Sequence, residues 1–226
     1  MNHPKTMVCF ANSRKTSGRS VVGKEWHEGV PGRWLRPVSA RPGHELSEED
    51  RRFADGRDPQ VLDIVVVPCL KPQPLPHQGE NQLIDPAHAW QHHGRLPWSA
   101  LGAWLDTPAT LWAGGGGSSY GFLNNRVAEG HQDGRSLYLI ALDQMQVVVG
   151  PKSADVSRRC LRGDFAYAGV SFQLAITDPV LERRFLAEAD GHYPIDQPVL
   201  CVSLEDLFQG YYYKSIAAVL DAARFE

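Results

Sequence analysis

Short apolar runs, rich in β-branched and aromatic side chains and separated by polar turn residues, recur along this chain and read as strands. Four such runs fall early: Met7 to Ala11, Ser20 to Trp26, Gly32 to Val38 and Val61 to Val67, bounded by Gly, Pro, Asn or Ser. A second batch comprises Leu137 to Leu142, Met145 to Val149, Arg158 to Tyr167, Val170 to Thr177 and Val199 to Ser203. Within it, Tyr167-Ala168-Gly169-Val170 predicts a tight hairpin turn. Helical patterns are few. Ser47 is placed to cap a helix over Leu46 to Phe53, and Asp178 to cap one over Pro179 to Ala187. Asp85-Pro86-Ala87 predicts a further helix start with Trp90 on its apolar face. Trp98, Leu101, Trp104 and Leu105 recur at helical spacing between Pro97 and Leu105. Pro68, Pro72, Pro74 and Pro76 dictate an extended crossing, and Glu205 to Leu220 fits either a strand or a helix.

The pattern describes a mainly β chain with short helices, a β-rich α+β protein, in two halves of about five strands each. Five strands with a helical insertion is the size of an OB barrel. Two OB-like small barrels are therefore expected, over residues 1–110 and 136–226, joined by a Gly-rich connection over 111–135. No period of 20 to 50 residues marks a solenoid or propeller. The 226 residues suffice for a sizeable core. Cys9, Cys69, Cys160 and Cys201 lie beside apolar residues without a CxxC spacing, which predicts reduced, buried thiols and a cytoplasmic protein. No apolar stretch approaches the roughly 20 residues a membrane helix needs.

Charge changes this picture. The chain has a net charge of -3, yet its first 41 residues carry eight basic side chains against Glu25 and Glu28. Phosphate affinity follows local clusters of Lys and Arg, so the basic segment points to a polyanion despite a pI near 6.3. Asn12, Ser13, Arg14, Lys15 and Arg19 bracket a loop between the first two predicted strands, with Lys24 in the second. Arg33 and Arg36 flank Trp34 and Leu35, and period two puts Trp34 and Arg36 on one face. A cation beside a ring is how OB barrels grip single strands; the competing reading is a solvated loop and a core Trp. With Arg14, Lys15, Arg19, Arg33 and Arg36 on phosphates, log affinity against log salt is expected to slope at roughly -3.5 on single strands. Arg158, Arg159 and Arg162, with Lys152 upstream, form a second basic cluster that either extends a groove or guards a strand edge.

The stretches Val8 to Arg19, Gly23-Lys24-Glu25 and Gly32 to Ser39 resemble bacterial dual OB-domain-containing proteins. So do Leu62-Asp63-Ile64, Glu80 to Asp85, Ile176 to Pro179, Cys201 to Leu204 and Tyr213-Lys214, so the resemblance spans nearly the whole chain. It implies two OB-like barrels and nucleic-acid binding in bacterial conflict or antiviral defence systems, and it supplies no catalytic residues.

Other constellations support different chemistry. Gly114 to Gly117 lacks the preceding strand and the Lys-Ser/Thr ending of a phosphate loop and reads as a flexible connection. Glu80, Asn81, Asp85, Asn125 and Arg126 are candidates for a ligand pocket, the alternative being a nucleotide-sensing module or metal-dependent nuclease. His88, His92 and His93 include a pair four apart, which a helix would align, without a third metal ligand. Asp63, Glu80 and Asp85 lack the spacing of a metal-nuclease motif. Tyr211, Tyr212 and Tyr213 suit an adaptor that docks a partner helicase or nuclease. The reading favoured is a non-catalytic binder of DNA or RNA, single-stranded or at ends, with no cofactor, metal or membrane partner.

Overall fold

The structure is a computed structural model that describes residues 3–114, 117–152 and 155–225, with side chains described except at 152 and 155–158. Strands account for 52% and helices for 10%, as a β-rich fold requires. The chain folds as two compact units, Met1–Trp104 and Leu105–Glu226.

Unit 1 contains β1 (Lys5–Arg14), β2 (Arg19–His27), β3 (Val30–Val38), α1 (Glu48–Arg51), β4 (Asp63–Val67), β5 (Cys69–Pro72), β6 (Asn81–Ile84), β7 (Gln91–Arg95) and a 3-10 helix, Trp98–Trp104. Its seven strands form one sheet in the order β5-β6-β3-β2-β1-β4-β7, antiparallel except where β3 meets β6. Met7, Cys9, Val21, Leu35, Val65 and Val67 meet in the core, and Val8, Phe10 and Ala11 between and beyond them on β1 are buried as well. Gly23 is required where β1 and β2 pack closely, because a Cβ there would lie 2.1 Å from the Val8 carbonyl oxygen. Ser47 caps α1 through a capping box: its hydroxyl accepts from Asp50 N at 3.3 Å and its own N–H donates to the Asp50 carboxylate at 2.7 Å.

The helix predicted to start at Asp85 does not form. The Asp85 carboxylate accepts from Ala87 N at 3.1 Å and the Asp85 carbonyl from His88 N at 3.3 Å, which closes a single turn. Asp-Pro begins turns as readily as helices. Gln91–Arg95 then pairs antiparallel with β4, a better use of its backbone groups than a short exposed helix, and Trp90 is buried in the core. The Trp-rich segment after it is helical but tightens to a 3-10 helix that buries Leu101 and Trp104.

Unit 2 contains β8 (Arg126–Ala128), β9 (Leu137–Ala141), β10 (Gln144–Lys152), β11 (Asp155–Tyr167), β12 (Val170–Ile176), α2 (Pro179–Phe185), β13 (Gly191–Asp196), β14 (Val199–Phe208), β15 (Tyr211–Leu220) and α3 (Ala222–Phe225). The sheet order is β13-β10-β11-β12-β15-β14-β9, with β8 also on β15 and only β12 and β15 parallel. Among the described residues no pairing closes either sheet into a ring. The hairpin between β11 and β12 forms as predicted, with Ala168 at φ 49° and Gly169 at φ 76°, the two left-handed positions of a I′ turn. Gln209 and Gly210 repeat that geometry at φ 52° and 78°, which turns β14 into β15 and makes the undecided C-terminal segment a strand. Asp178 caps α2 from a buried position: one carboxylate oxygen accepts from Val180 N at 2.9 Å and the other from Arg224 Nη1 at 2.8 Å.

All four cysteines are free thiols. Cys9, Cys69 and Cys201 are buried, and burial pushes the Cys69 thiol up to about 11, which keeps it protonated and unreactive. Cys160 departs from the expectation, because it lies only partly buried on β11. No helix among the described residues is long and apolar enough to cross a membrane.

Candidate nucleic-acid interface

The β1–β2 loop of unit 1 is held rather than free. Lys15 N donates to Gly18 O at 3.0 Å, and Arg19 exchanges both backbone hydrogen bonds with Leu46 at 2.9 Å. Gly18 permits this approach, since a Cβ would lie 2.5 Å from Leu46 O. The Ser17 amide and hydroxyl both donate to the Glu45 carboxylate. Arg14 is exposed at the rim of this loop. Lys15 is half-buried, with its ammonium 3.5 Å from Gly43 O. The other polar groups assigned to the loop face inward. Asn12 donates to Asp58 at 3.1 Å and to Pro59 O at 3.0 Å, and the buried Ser13 hydroxyl donates to Ser20 O. They shape the loop and are not presented to a ligand.

The two cations of β3 have different environments. Leu35 joins the core, whereas Trp34 is half-buried and lines a cleft of about 410 Å³ with Lys5, Glu25, Arg33, Glu80 and Gln82. Phe10 meets the indole edge-on at 6.1 Å between centroids, and Lys24 Nζ sits 5.1 Å from the ring centroid. Arg33 is exposed at the cleft and makes no hydrogen bond, ion pair or ring contact with any described residue. Arg36, by contrast, is 3% exposed. Its Nε lies 3.1 Å from Glu80 Oε1, and its Nη1 donates to Ser20 Oγ at 2.7 Å. It joins β3 to the segment before β6 as a structural cation and is not offered to phosphate. Lys24 is likewise buried, donating to Trp104 O at 2.6 Å. Much of the basic segment's remaining charge is matched locally, as in Lys5 with Glu25 at 2.6 Å and Arg41 with Asp50.

The second basic cluster lies in unit 2 and is mostly spent on the fold. Arg159 pairs with Asp190 at 2.9 Å and donates to the carbonyls of Leu186 and Glu188 after α2. Arg162 donates to Pro151 O at 3.0 Å and lies 4.9 Å from the Phe122 centroid. The side chains of Lys152 and Arg158, and Gly115 and Gly116 of the Gly-rich loop, lie outside the described residues.

The residues proposed for a middle pocket divide between the units. In unit 1, Glu80 is taken by Arg36, Asn81 is fully buried and donates to Gln78, and Asp85 closes its turn and pairs with His88 at 2.9 Å. In unit 2, buried Asn125 accepts from Ser119 and from Lys214 N, while the Arg126 guanidinium lies 4.0 Å from the Tyr211 centroid. With no helix at residues 88–93, the histidines diverge: His92 faces Asp63 at 3.7 Å and His93 lies tilted against Trp26, 5.3 Å between centroids. Among the described residues no three His, Cys, Asp or Glu side chains gather in a metal-binding group. Of the tyrosines, Tyr212 is buried, while Tyr213 packs between Tyr120 and Phe208. The sequence reading missed Lys5 and Gln82, which reach the cleft only through the sheet's register, and Lys214, whose place in an inward-facing series was the available signal.

No curated protein and no solved structure matches the chain. The model of the dual OB-containing domain does match, over residues 5–219, which takes in nearly all of both units. That coverage agrees with two β-rich sheets in one chain, and the protein belongs to the dual OB-containing domain family.

Proposed function

We propose that unit 1 binds single-stranded nucleic acid, DNA or RNA, along β2 and β3 and over the β1–β2 loop. OB folds use the strand 2–3 face and this loop for oligonucleotides. The observation that carries the reading is Trp34, half-buried on the wall of a cleft of about 410 Å³, with the unpartnered Arg33 beside it. That volume falls in the roughly 300–1,000 Å³ range of ligand sites, enough for a base. Lys24 and Phe10 hold the ring in place, so little rotamer entropy is lost when a base stacks on it. Arg33 and the loop cations Arg14 and Lys15 supply the phosphate contacts. Ser20 and Glu25 of β2 lie five residues apart, about 17 Å of strand, which separates the loop from the Trp34 cleft and sets the length of chain engaged. Under this reading the chain is a cytoplasmic, non-catalytic component of bacterial defence or nucleic-acid processing, the setting that the family resemblance implies.

Fluorescence anisotropy with labelled 5′-hydroxyl oligonucleotides tests the reading. Trp34→Ala is expected to weaken binding about 5- to 150-fold, since one base–aromatic stack contributes about 1–3 kcal/mol, while Trp34→Phe keeps most of the affinity. Equal affinity of Trp34→Ala and wild type, with both folded, would remove the stacking platform.

A further inference from the structure

Lys214 occupies a place where the pattern demands an apolar side chain. Period two along β15 aligns it with Tyr212 and Ile216, both members of the unit 2 core. Lys214 is 7% exposed. Its Nζ lies 5.1 Å from the Phe172 centroid, and neither a carboxylate nor a hydrogen-bond acceptor among the described residues pairs with it. A buried ammonium without a carboxylate is costly, and natural chains rarely keep one without a use for it.

The side chain lines a cavity of about 160 Å³ within unit 2, together with Arg126, Asn124, Thr110, Trp112 and Phe172. Among the described residues two cations and no Asp or Glu line it, so its potential is positive. Its volume equals that of about five liquid waters and is below the roughly 300 Å³ at which drug-sized sites begin. The occupant is therefore an anionic group of a few heavy atoms.

We propose that this cavity binds a phosphoryl group, with Lys214 as its main charge partner and Arg126 as the second. Lysine serves phosphates as a point charge, and Thr110 adds a hydroxyl at the rim. Burial pushes the ammonium down to about 8, which leaves it mostly protonated at neutral pH. A nucleotide or a nucleic-acid end would insert its phosphate and leave sugar and base outside. This site is independent of the Trp34 cleft, so either can fail alone.

The test uses the full chain, titrated calorimetrically with inorganic phosphate, then with one oligonucleotide bearing either a 5′-phosphate or a 5′-hydroxyl. Wild type should bind phosphate, and Lys214→Met should weaken it at least tenfold. A nucleic-acid end as the source adds at least tenfold tighter binding of the 5′-phosphorylated strand, abolished in Lys214→Met, with 5′-hydroxyl affinity unchanged. Inorganic phosphate binding without that preference identifies free phosphate or a small phosphoester as the source. Because the variant alters a core position, a wild-type readout accompanies it: saturating phosphate should slow acylation of Lys214 by an N-hydroxysuccinimide ester at least fivefold, read by peptide mass spectrometry. Acylation at an unchanged rate, or no probe bound in a Lys214-dependent way, overturns the proposal.

Discussion

Arg36→Met is expected to lower the stability of unit 1 by about 3–5 kcal/mol, because it breaks a buried ion pair by removing one partner. In a unit of this size that is a fall in Tm on the order of 15 °C. The loss should exceed that of removing a surface pair such as Arg57 with Asp55, which solvent screens. Adding Glu80→Met to Arg36→Met should recover most of the stability, since an apolar pair of similar volume replaces an ion pair with little net worth. Differential scanning calorimetry on the two single variants and the double variant measures the coupling. A stable Arg36→Met protein that has lost only affinity for nucleic acid would return Arg36 to the ligand-binding face, contrary to its place beside Glu80 and Ser20.

Lys214→Met should act in the opposite direction on unit 2, stabilising it at neutral pH. Burial lowers the folded-state value of Lys214 from 10.5 to about 8, so between those values the unfolded chain binds more protons and stability rises with pH. Below pH 8 the folded state carries the full cost of the buried charge, roughly 3 kcal/mol at 1.36 kcal/mol per unit. Losing the contact with Phe172 offsets about 1 kcal/mol, which leaves a net gain of about 2 kcal/mol for the variant near pH 7. That gain should shrink as pH rises from 8 towards 10.5. Paired denaturant titrations of wild type and variant check this, and the difference between them removes the buried tyrosines, whose raised values make them titrate late in both. A destabilised variant with no pH trend would mean that the ammonium has a stabilising partner.

The sequence was most legible where local chemistry and tertiary pairing agree. Ala168-Gly169 supplies the left-handed pair of a hairpin turn, Ser47 and Asp178 are caps, and the runs Met7 to Ala11 and Gly32 to Val38 form parts of β1 and β3. It was least legible where pairing at a distance decides. Asp85-Pro86 looks like a helix start, but the open edge of β4 takes Gln91–Arg95 as a strand. Short strands such as Asn81–Ile84 and Gly191–Asp196 have little pattern of their own and exist because a neighbour offers a ladder. The same limit applies to the candidate site. Spacing placed Trp34 and Arg36 on one face of β3, yet only the fold reveals that Glu80 comes alongside Arg36 and that Lys24 turns inward to Trp104. A count of cations along the chain therefore overstates those available to a polyanion.

That count sets the most direct measurement of the central claim, the salt dependence of binding to a 5′-hydroxyl single strand. With Arg36 and Lys24 withdrawn into the fold and Nη1 of the half-buried Arg19 shut off from solvent, Arg14, Lys15 and Arg33 are the phosphate contacts proposed for unit 1. Three contacts predict a slope of about -2 for log affinity against log salt, and Arg33→Ala should reduce its magnitude by about 0.7 without lowering Tm. Salt-independent binding, no binding to DNA or RNA, or a slope unchanged by Arg33→Ala would contradict the account.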